Sequence, residues 1–322
     1  MPKIIVTADP MYRTEGPHTR VLREAGFEIV PPLARLPITD EQTIHAMGNV
    51  DAVLAGSEPY SERVFAALPG LRLVSRCGVG CDSVDLPAAE RHGVVVTITP
   101  HGNYGAVAEH ALALLLALTR SIVATDREVH RGVWQKTALV PVRGKTLGLV
   151  GIGRIGRAVA VRAAALGMHV MGADPVVSHD HARAHGIELT SLDELLARSD
   201  FISLHAPLTP ETKGLINRAA LAKMKPGAFL VNTARGGLVV EPDVVDALRS
   251  GRLAGAGLDV LVDEPPRSDN PLLALDNVVI TPHLAASDVR AMEDMVVAAA
   301  QNIVDFFNGR LAPEVLVTRP RT

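Results

Sequence analysis

The stretch Gly151-Ile152-Gly153-Arg154-Ile155-Gly156 limits the fold of this chain more than any other. An apolar, strand-like run, Thr146–Val150, precedes it, and a helical run, Ile155–Leu166, follows. A bare glycine pattern matches many turns by chance, so the flanking strand and helix carry the argument. In such a unit each glycine has its own steric task. Gly151 permits the tight turn, Gly153 lets the backbone approach a pyrophosphate, and Gly156 allows the helix to pack closely on the strand. The helix N-terminus, with Arg154 and Ile155 at its start, adds unpaired N–H groups and partial positive charge. Asp174 stands 18 positions beyond Gly156, after the next strand-like run. A carboxylate there accepts hydrogen bonds from a ribose diol and repels a 2′-phosphate, which points to NAD rather than NADP. Arg157 is the nearby residue that argues the other way.

The alternation of short apolar runs with helical runs extends in both directions. Upstream the strand-like runs are Lys3–Thr7, Ala52–Ala55, Arg72–Ser75 and Val94–Ile98. Downstream they are His169–Gly172, Phe201–Leu204, Phe229–Asn232, Ala256–Val260 and Val278–Thr281. Several are almost wholly apolar, the pattern of strands buried on both faces of a parallel sheet. Helical runs such as Leu192–Arg198 and Asp243–Ser250 lie between them. The fold class is therefore α/β with parallel sheets. The fingerprint normally opens a nucleotide domain, yet nearly half of this chain precedes it. That part has strands and helices of its own, so a separate N-terminal α/β unit is predicted, and 322 residues leave room for both. Asn103–Thr125, rich in Ala and Leu and free of proline, reads as one long helix linking the units. Asp288–Asn308 is the last long helical run.

Composition narrows the function classes. Hydrophobic residues make up 48% and charged residues 21%, which argues against disorder as the main state. A net charge of −3 gives no global reason to bind nucleic acid or an anionic membrane. The longest apolar stretch, Ala111–Leu118, is flanked by charge and falls far short of the roughly 20 residues of a membrane helix. Met1-Pro2-Lys3 leads straight into a strand-like run, so no signal peptide is expected. Cys77 and Cys81 are read as free thiols of a cytoplasmic protein. His181 and His185 have the i,i+4 spacing of zinc ligands, but no companion set is evident and an exposed helix face is expected.

The last third carries the reactive side chains: Arg235 in NTARGG, Glu264 in GLDVLVDEPP and His283 in TPHLAAS. An arginine fork can hold a carboxylate, a histidine can move a proton near neutrality, and a glutamate can keep that histidine charged. Behind a dinucleotide loop, this set points to hydride transfer involving a small hydroxy acid. With RCGVGCDSVD (Arg76–Asp85), GNYGAVAEHALALLLAL (Gly102–Leu118), GKTLGLVGIGRIG (Gly144–Gly156) and LHAPLTPETKGLI (Leu204–Ile216), the chain resembles the D-isomer-specific 2-hydroxyacid dehydrogenase family along nearly its whole length. The nearest branches are phosphoglycerate dehydrogenase-like and hydroxypyruvate or glyoxylate reductase-like.

The resemblance implies two Rossmann-like domains. Residues 1–100 and 288–322 would form a discontinuous, flavodoxin-like substrate domain, and 101–287 the NAD-binding domain, with the site in the cleft. It implies a homodimer that uses the Asn103–Thr125 region. It makes His283 the acid and base, Glu264 its tuning partner and Arg235 the holder of the substrate carboxylate. Gly78, Val79 and Gly80 become a carboxylate loop working through backbone N–H groups, with Arg76 adding positive potential. Asp259 would contact the nicotinamide carboxamide, His205 and Thr233 would line the cofactor, and Asn103 would border the cleft.

The chain also departs from the pattern. In the phosphoglycerate enzymes an arginine follows the strand that here reads Ala52–Ala55, whereas this chain continues Gly56-Ser57-Glu58. That weakens 3-phosphoglycerate as the specific substrate. No regulatory domain is expected after the final helix, and Ala285-Ala286 replaces a more usual glycine-containing continuation. Glu264 argues against formate oxidation, where glutamine is usual; phosphite oxidation stays open. The rival from another class is an NAD(H)-sensing protein similar to the C-terminal-binding corepressors. The expected partner is a small 2-hydroxy or 2-oxo acid.

Overall fold

The computed structural model describes residues 1–8, 15–32 and 39–318. They form two compact units, Met1–Asn103 with Asp288–Thr322 and Tyr104–Ser287. The first alternates β1 (Lys3–Val6), α1 (Pro17–Glu24), β2 (Glu28–Val30), α2 (Asp40–Met47), β3 (Ala52–Ala55), α3 (Glu62–Ala67), β4 (Leu73–Arg76), α4 (Leu86–His92) and β5 (Val95–Thr97). The second holds α5 (Tyr104–Thr119), α6 (Ile122–His130), β6 (Thr146–Val150), α7 (Arg154–Ala165), β7 (His169–Ala173), α8 (His179–Ala184), β8 (Glu188–Leu189) and α9 (Leu192–Arg198). It continues with β9 (Phe201–Leu204), α10 (Arg218–Lys223), β10 (Ala228–Asn232), α11 (Glu241–Arg249), β11 (Leu253–Leu258) and β12 (Val278–Ile280). The final helix, α12 (Val289–Phe307), belongs to the first unit.

The first unit has a five-stranded parallel sheet of order β2-β1-β3-β4-β5. The α/β alternation predicts such sheets, because parallel neighbours need a crossover that brings the chain back to the same edge. Ile4, Val6, Leu54, Leu73 and Val95 face α12, whose Val296, Ala299, Ala300 and Ile303 lie in the same core. Asp288 caps α12 by accepting the Ala291 N–H at 2.7 Å.

The second unit has a seven-stranded parallel sheet of order β12-β11-β10-β9-β6-β7-β8. The order reverses between β6 and β9, so the loop after β6 opens at the switch point where such sheets bind ligands. On one face α5 and α7 bury Ala108, Ala111, Leu115, Val159 and Ala163 against Leu147, Leu149 and Val231. Glycine makes this close approach possible: a Cβ on Gly257 would stand 2.9 Å from the Leu114 Cβ.

Three elements differ from the sequence reading. The single helix expected over 103–125 is broken. α5 ends at Thr119, Ser121 takes a left-handed φ of 49°, and α6 departs at 57°. Two short strands, β2 and β8, have no counterpart among the expected runs. Among the described residues no single helix is long and apolar enough to cross a membrane; α5 and α6 pass that test only as a bent pair.

The strand–helix contact at β6 gives a direct test. A Cβ on Gly148 would fall 2.3 Å from the Ser199 Oγ and 2.6 Å from a Leu195 methyl. Gly148→Ala is expected to destabilise the fold by about 1–3 kcal/mol through overpacking. Urea denaturation reads this; an unchanged midpoint contradicts the packing.

Candidate active site

The fingerprint loop is built as a dinucleotide cradle. Gly151 adopts φ 93°, and a Cβ there would meet the His205 carbonyl carbon and the Ala206 nitrogen at 2.7 Å. A Cβ on Gly156 would sit 2.3 Å from the Gly151 oxygen, so only glycine lets α7 start this close to the turn. In front of Gly153 the space is open to 4 Å. No side chain caps α7, whose first residues are Arg154 and Ile155, so its first N–H groups stay available to an anion. Asp174 follows β7 and accepts the Ile152 N–H at 2.8 Å and the Val176 N–H at 3.0 Å. These bonds tie the carboxylate to the fingerprint turn.

Two polar atoms at the neighbouring strand ends support the same use. The Thr233 Oγ1, after β10, and the His205 Nδ1, after β9, are buried without a hydrogen-bond partner among the described residues. Burying such a group unpaired costs about 1–3 kcal/mol, a cost a ligand can remove. His205 Nε2 lies 2.9 Å from the Ser203 Oγ, and burial pushes its pKa down to about 4. His205 is therefore a neutral ring at neutral pH.

Arg235, Glu264 and His283 sit on loops after β10, β11 and β12. Asn232 shapes the first loop, accepting the Ala234 N–H at 3.0 Å and donating to the Arg235 carbonyl at 2.9 Å. A Cβ on Gly236 would stand 2.1 Å from the Leu261 carbonyl, so glycine lets this loop press against the one bearing Glu264. The Glu264 Oε1 accepts the Leu261 N–H at 3.0 Å, and its Oε2 pairs with the His283 Nδ1 at 2.7 Å. His283 itself takes φ 51°, unusual for a residue with a Cβ.

Asp259, 2% exposed, holds that conformation. Its carboxylate accepts from the Thr281 hydroxyl at 2.5 Å and from the N–H groups of Leu284 and Ala285 at 2.9 Å each. Its carbonyl accepts the His283 N–H at 2.8 Å. Asp259 is thus an organiser of the His283 turn, a part the sequence reading did not give it.

A profile of the D-isomer specific 2-hydroxyacid dehydrogenase NAD binding domain matches residues 112–285. The chain belongs to the D-isomer specific 2-hydroxyacid dehydrogenase family. It is 46% identical over 286 residues to the D-3-phosphoglycerate dehydrogenase of Mycobacterium leprae, covering 88% of this chain and 52% of that protein. The chain spans about half the length of the curated relatives it matches first. Among solved structures, the TT0316 protein of Thermus thermophilus superposes with a TM-score of 0.87 at 38% identity, covering 98% of this chain and 100% of that one. D-lactate dehydrogenase of Aquifex aeolicus, solved with NAD and lactic acid, gives 0.85 at 29% identity over 99% of this chain and 100% of that one.

As a member of the family, the chain presents its reactive groups in a distinct electrostatic setting. The hydrogen bond that His283 donates to Glu264 raises the His283 pKa above its ordinary value. Burial opposes this, the charges of Glu264 and Asp259 add to it, and that of Arg235 subtracts. On Glu264, burial acts first and upward. The His283 bond, the Leu261 N–H and the charges of His283 and Arg235 outweigh it and hold the carboxyl below its usual range. The imidazole is 50% and the carboxylate 37% exposed, so the pair tunes protonation more than it stabilises the fold. Its small stabilisation is lost as pH rises through the raised His283 value, or falls through the lowered Glu264 value.

The other sequence candidates lie in the first unit. Arg76 ends β4 at 8% exposure, donates its Nε–H to the Gly80 carbonyl at 3.1 Å, and buries Nη1 without a partner among the described residues. Gly78, at φ 134°, donates its N–H to the Thr99 hydroxyl at 2.8 Å. That leaves the N–H groups of Val79 and Gly80 for a ligand. Asn103 is buried with an unpaired Oδ1. In the nucleotide unit, the His181 Nε2 lies 3.0 Å from the Arg157 Nη1, so the guanidinium occupies one of its ring nitrogens. Sequence reasoning missed His110 on α5, whose Nε2 lies 2.9 Å from the Thr281 hydroxyl. Its only signal was a histidine bordering an apolar run.

Glu264→Gln removes the anion and keeps the shape. The His283 titration midpoint, followed by NMR of the imidazole, is expected to move to lower pH; a midpoint that stays or rises rejects the pairing as its cause.

Proposed function

We propose that this chain is an NAD-dependent dehydrogenase that interconverts a D-2-hydroxy acid and its 2-oxo acid. The observation that carries the reading is the 2.7 Å His283–Glu264 pair, with the charge of Arg235 acting on both members. When bound, the reduced nicotinamide supplies the hydride. The chain's own residues supply the rest. His283 gives its Nδ1–H to Glu264, which leaves Nε2 as the atom that delivers a proton to the substrate oxygen during reduction and takes it back during oxidation. Because Glu264 favours the imidazolium, the acid form is populated near neutrality. Arg235 holds the substrate carboxylate with two donors and draws electron density from the carbonyl oxygen. In the first unit, the N–H groups of Val79 and Gly80 are assigned to a substrate carboxylate, and Arg76 adds positive potential beside them. Gly151, Gly153, Gly156 and Asp174 hold the dinucleotide, and Thr233 and His205 are available to its nicotinamide end. Met1–Asn103 with Asp288–Thr322 is the substrate domain in this reading, and Tyr104–Ser287 the NAD domain.

The names of the phosphoglycerate dehydrogenase relatives make 3-phosphoglycerate the second reading, and the unpaired Arg76 Nη1 is the observation in its favour.

His283→Gln is expected to lower turnover by about 10²–10⁴ while leaving NADH affinity unchanged. Steady-state NADH oxidation with glyoxylate, hydroxypyruvate and phosphohydroxypyruvate, beside NADH titration, reads both. A folded protein that binds NADH tightly and turns over no oxo acid favours an NAD(H) sensor instead.

We also propose a cytoplasmic homodimer. α6 has no buried residue, and Ile122, Val129, Val133 and Trp134 are exposed on it and the segment that follows, Trp134 at 85%. A second copy of the chain would cover this apolar surface. Trp134→Glu is expected to yield a monomer in sedimentation velocity; an unchanged mass rejects this surface as the contact.

A further inference from the structure

The first unit holds a buried carboxylate that the proposed reaction leaves without a task. Glu58 is 3% exposed and stands just beyond β3. Its Oε1 accepts three hydrogen bonds, from the Thr7 hydroxyl, the Tyr60 hydroxyl at 2.8 Å and the Gly56 N–H at 3.2 Å. Burial first, then the charge of Glu58, push the Tyr60 phenol well up, so Tyr60 remains a donor. Among the described residues Oε2 accepts nothing.

The location matters as much as the chemistry. The strand order β2-β1-β3-β4-β5 reverses between β1 and β3. Thr7 follows β1 and Glu58 follows β3, so their hydrogen bond spans the switch point, where open α/β sheets take their ligands. Arg76, at the end of β4, contributes a buried Nη1 that also lacks a partner among the described residues. Among the described residues this crevice therefore presents one unpaired cationic donor and one unpaired anionic acceptor.

Position 56 is crowded. A Cβ there would lie 2.9 Å from the Glu58 Oε2 and 3.2 Å from backbone atoms of Thr7 and Ala8. The backbone just beyond β1 crowds this space, so a side chain starting from residue 56 requires Glu58 to turn away and the strand ends to give by a few tenths of an ångström.

We propose that Glu58 sets the substrate class: it rejects a 2-oxo acid ending in phosphate and accepts an unphosphorylated one whose far end donates a hydrogen bond, such as a hydroxyl, to Oε2. The assignment rests on the dehydrogenase reading above and narrows it. A phosphate dianion beside a buried carboxylate is repelled in a low-dielectric setting, and Arg76 alone does not offset that repulsion. A hydroxyl satisfies the open acceptor at no cost in charge.

The test compares kcat/KM for hydroxypyruvate and phosphohydroxypyruvate in the wild-type chain and in Glu58→Gln, with NADH binding and the thermal midpoint measured alongside. Gln keeps an oxygen for the donors of Thr7, Tyr60 and Gly56 and replaces the charged Oε2 acceptor by a neutral amide donor, which removes both the repulsion of a phosphate and the acceptor for a hydroxyl; Glu58→Ser serves where the Gln variant does not fold. The wild type is expected to favour hydroxypyruvate by about tenfold or more, and the variant to narrow that ratio by about tenfold. A merely structural Glu58 would lower both activities together and leave the ratio alone. A wild-type preference for phosphohydroxypyruvate, or a ratio unmoved by the substitution, overturns the assignment and leaves the dehydrogenase reading standing. No turnover of either acid by a folded, NADH-binding protein overturns the dehydrogenase reading and the assignment with it.

Discussion

The candidate catalytic turn depends on one buried carboxylate, Asp259. A histidine with φ 51° carries strain of about 1–3 kcal/mol, and such a residue keeps its place only where the surroundings over-determine it. Here three donors converge on the Asp259 carboxylate and a fourth, the His283 N–H, on its carbonyl. Its own N–H is given to the Asn232 carbonyl at 2.9 Å, which joins the turn to the end of β10. Hydrogen bonds to a buried charge are stronger than neutral ones. They fix the direction in which the imidazole leaves the backbone, and therefore its meeting with Glu264. Glycine completes the arrangement, since only its bare backbone at position 236 lets the Arg235 loop touch Leu261.

Much of this was legible in the sequence because it is written in local steric needs. A glycine fingerprint between a strand and a helix has few alternatives, and apolar runs with no polar face belong inside a parallel sheet. The break at Ser121 was hidden for the opposite reason. Ala and Leu promise a helix, and neither glycine nor proline marks the end; a serine takes the left-handed conformation instead. The strands β2 and β8 were missed because both are short and lie at sheet edges, where Glu28 and Glu188 are exposed and burial leaves no pattern. The roles of Asp259, Thr281 and His110 were illegible because they consist of partners far apart in sequence. A carboxylate after a strand reads the same whether it faces a ligand or gathers four backbone and hydroxyl donors.

In both units unpaired buried polar atoms lie at strand ends and in the loops that follow them. In the nucleotide unit these are the Thr233 Oγ1 and the His205 Nδ1; in the other, among the described residues, they include the Arg76 Nη1, the Ser83 Oγ and the Asn103 Oδ1. Folding alone does not favour this, because water-free burial of an unpaired donor or acceptor destabilises the chain. The rest of each core contains little of the kind: β3 and β10 are buried along their whole length by apolar side chains, with Asn232 fully bonded. The cost thus falls on strand ends and the loops that follow them, where a bound molecule can complete missing bonds.

Two histidines of the nucleotide unit, His205 and His283, show how this setting divides labour between identical side chains. His205 meets burial and a hydroxyl, with no anion to compensate, so its ring stays neutral down to about pH 4. His283 meets a carboxylate at 2.7 Å and keeps half of its surface in water, so its charged form is favoured. Opposite shifts on one residue type are how a site obtains both a fixed polar wall and a proton carrier at one pH. A neutral wall also has a consequence for the cofactor. The nicotinamide ring is cationic in one redox state and neutral in the other, and a charged His205 would favour the reduced form. In the proposed dehydrogenase a neutral ring beside the nicotinamide would leave that balance to the substrate and to the proton on His283.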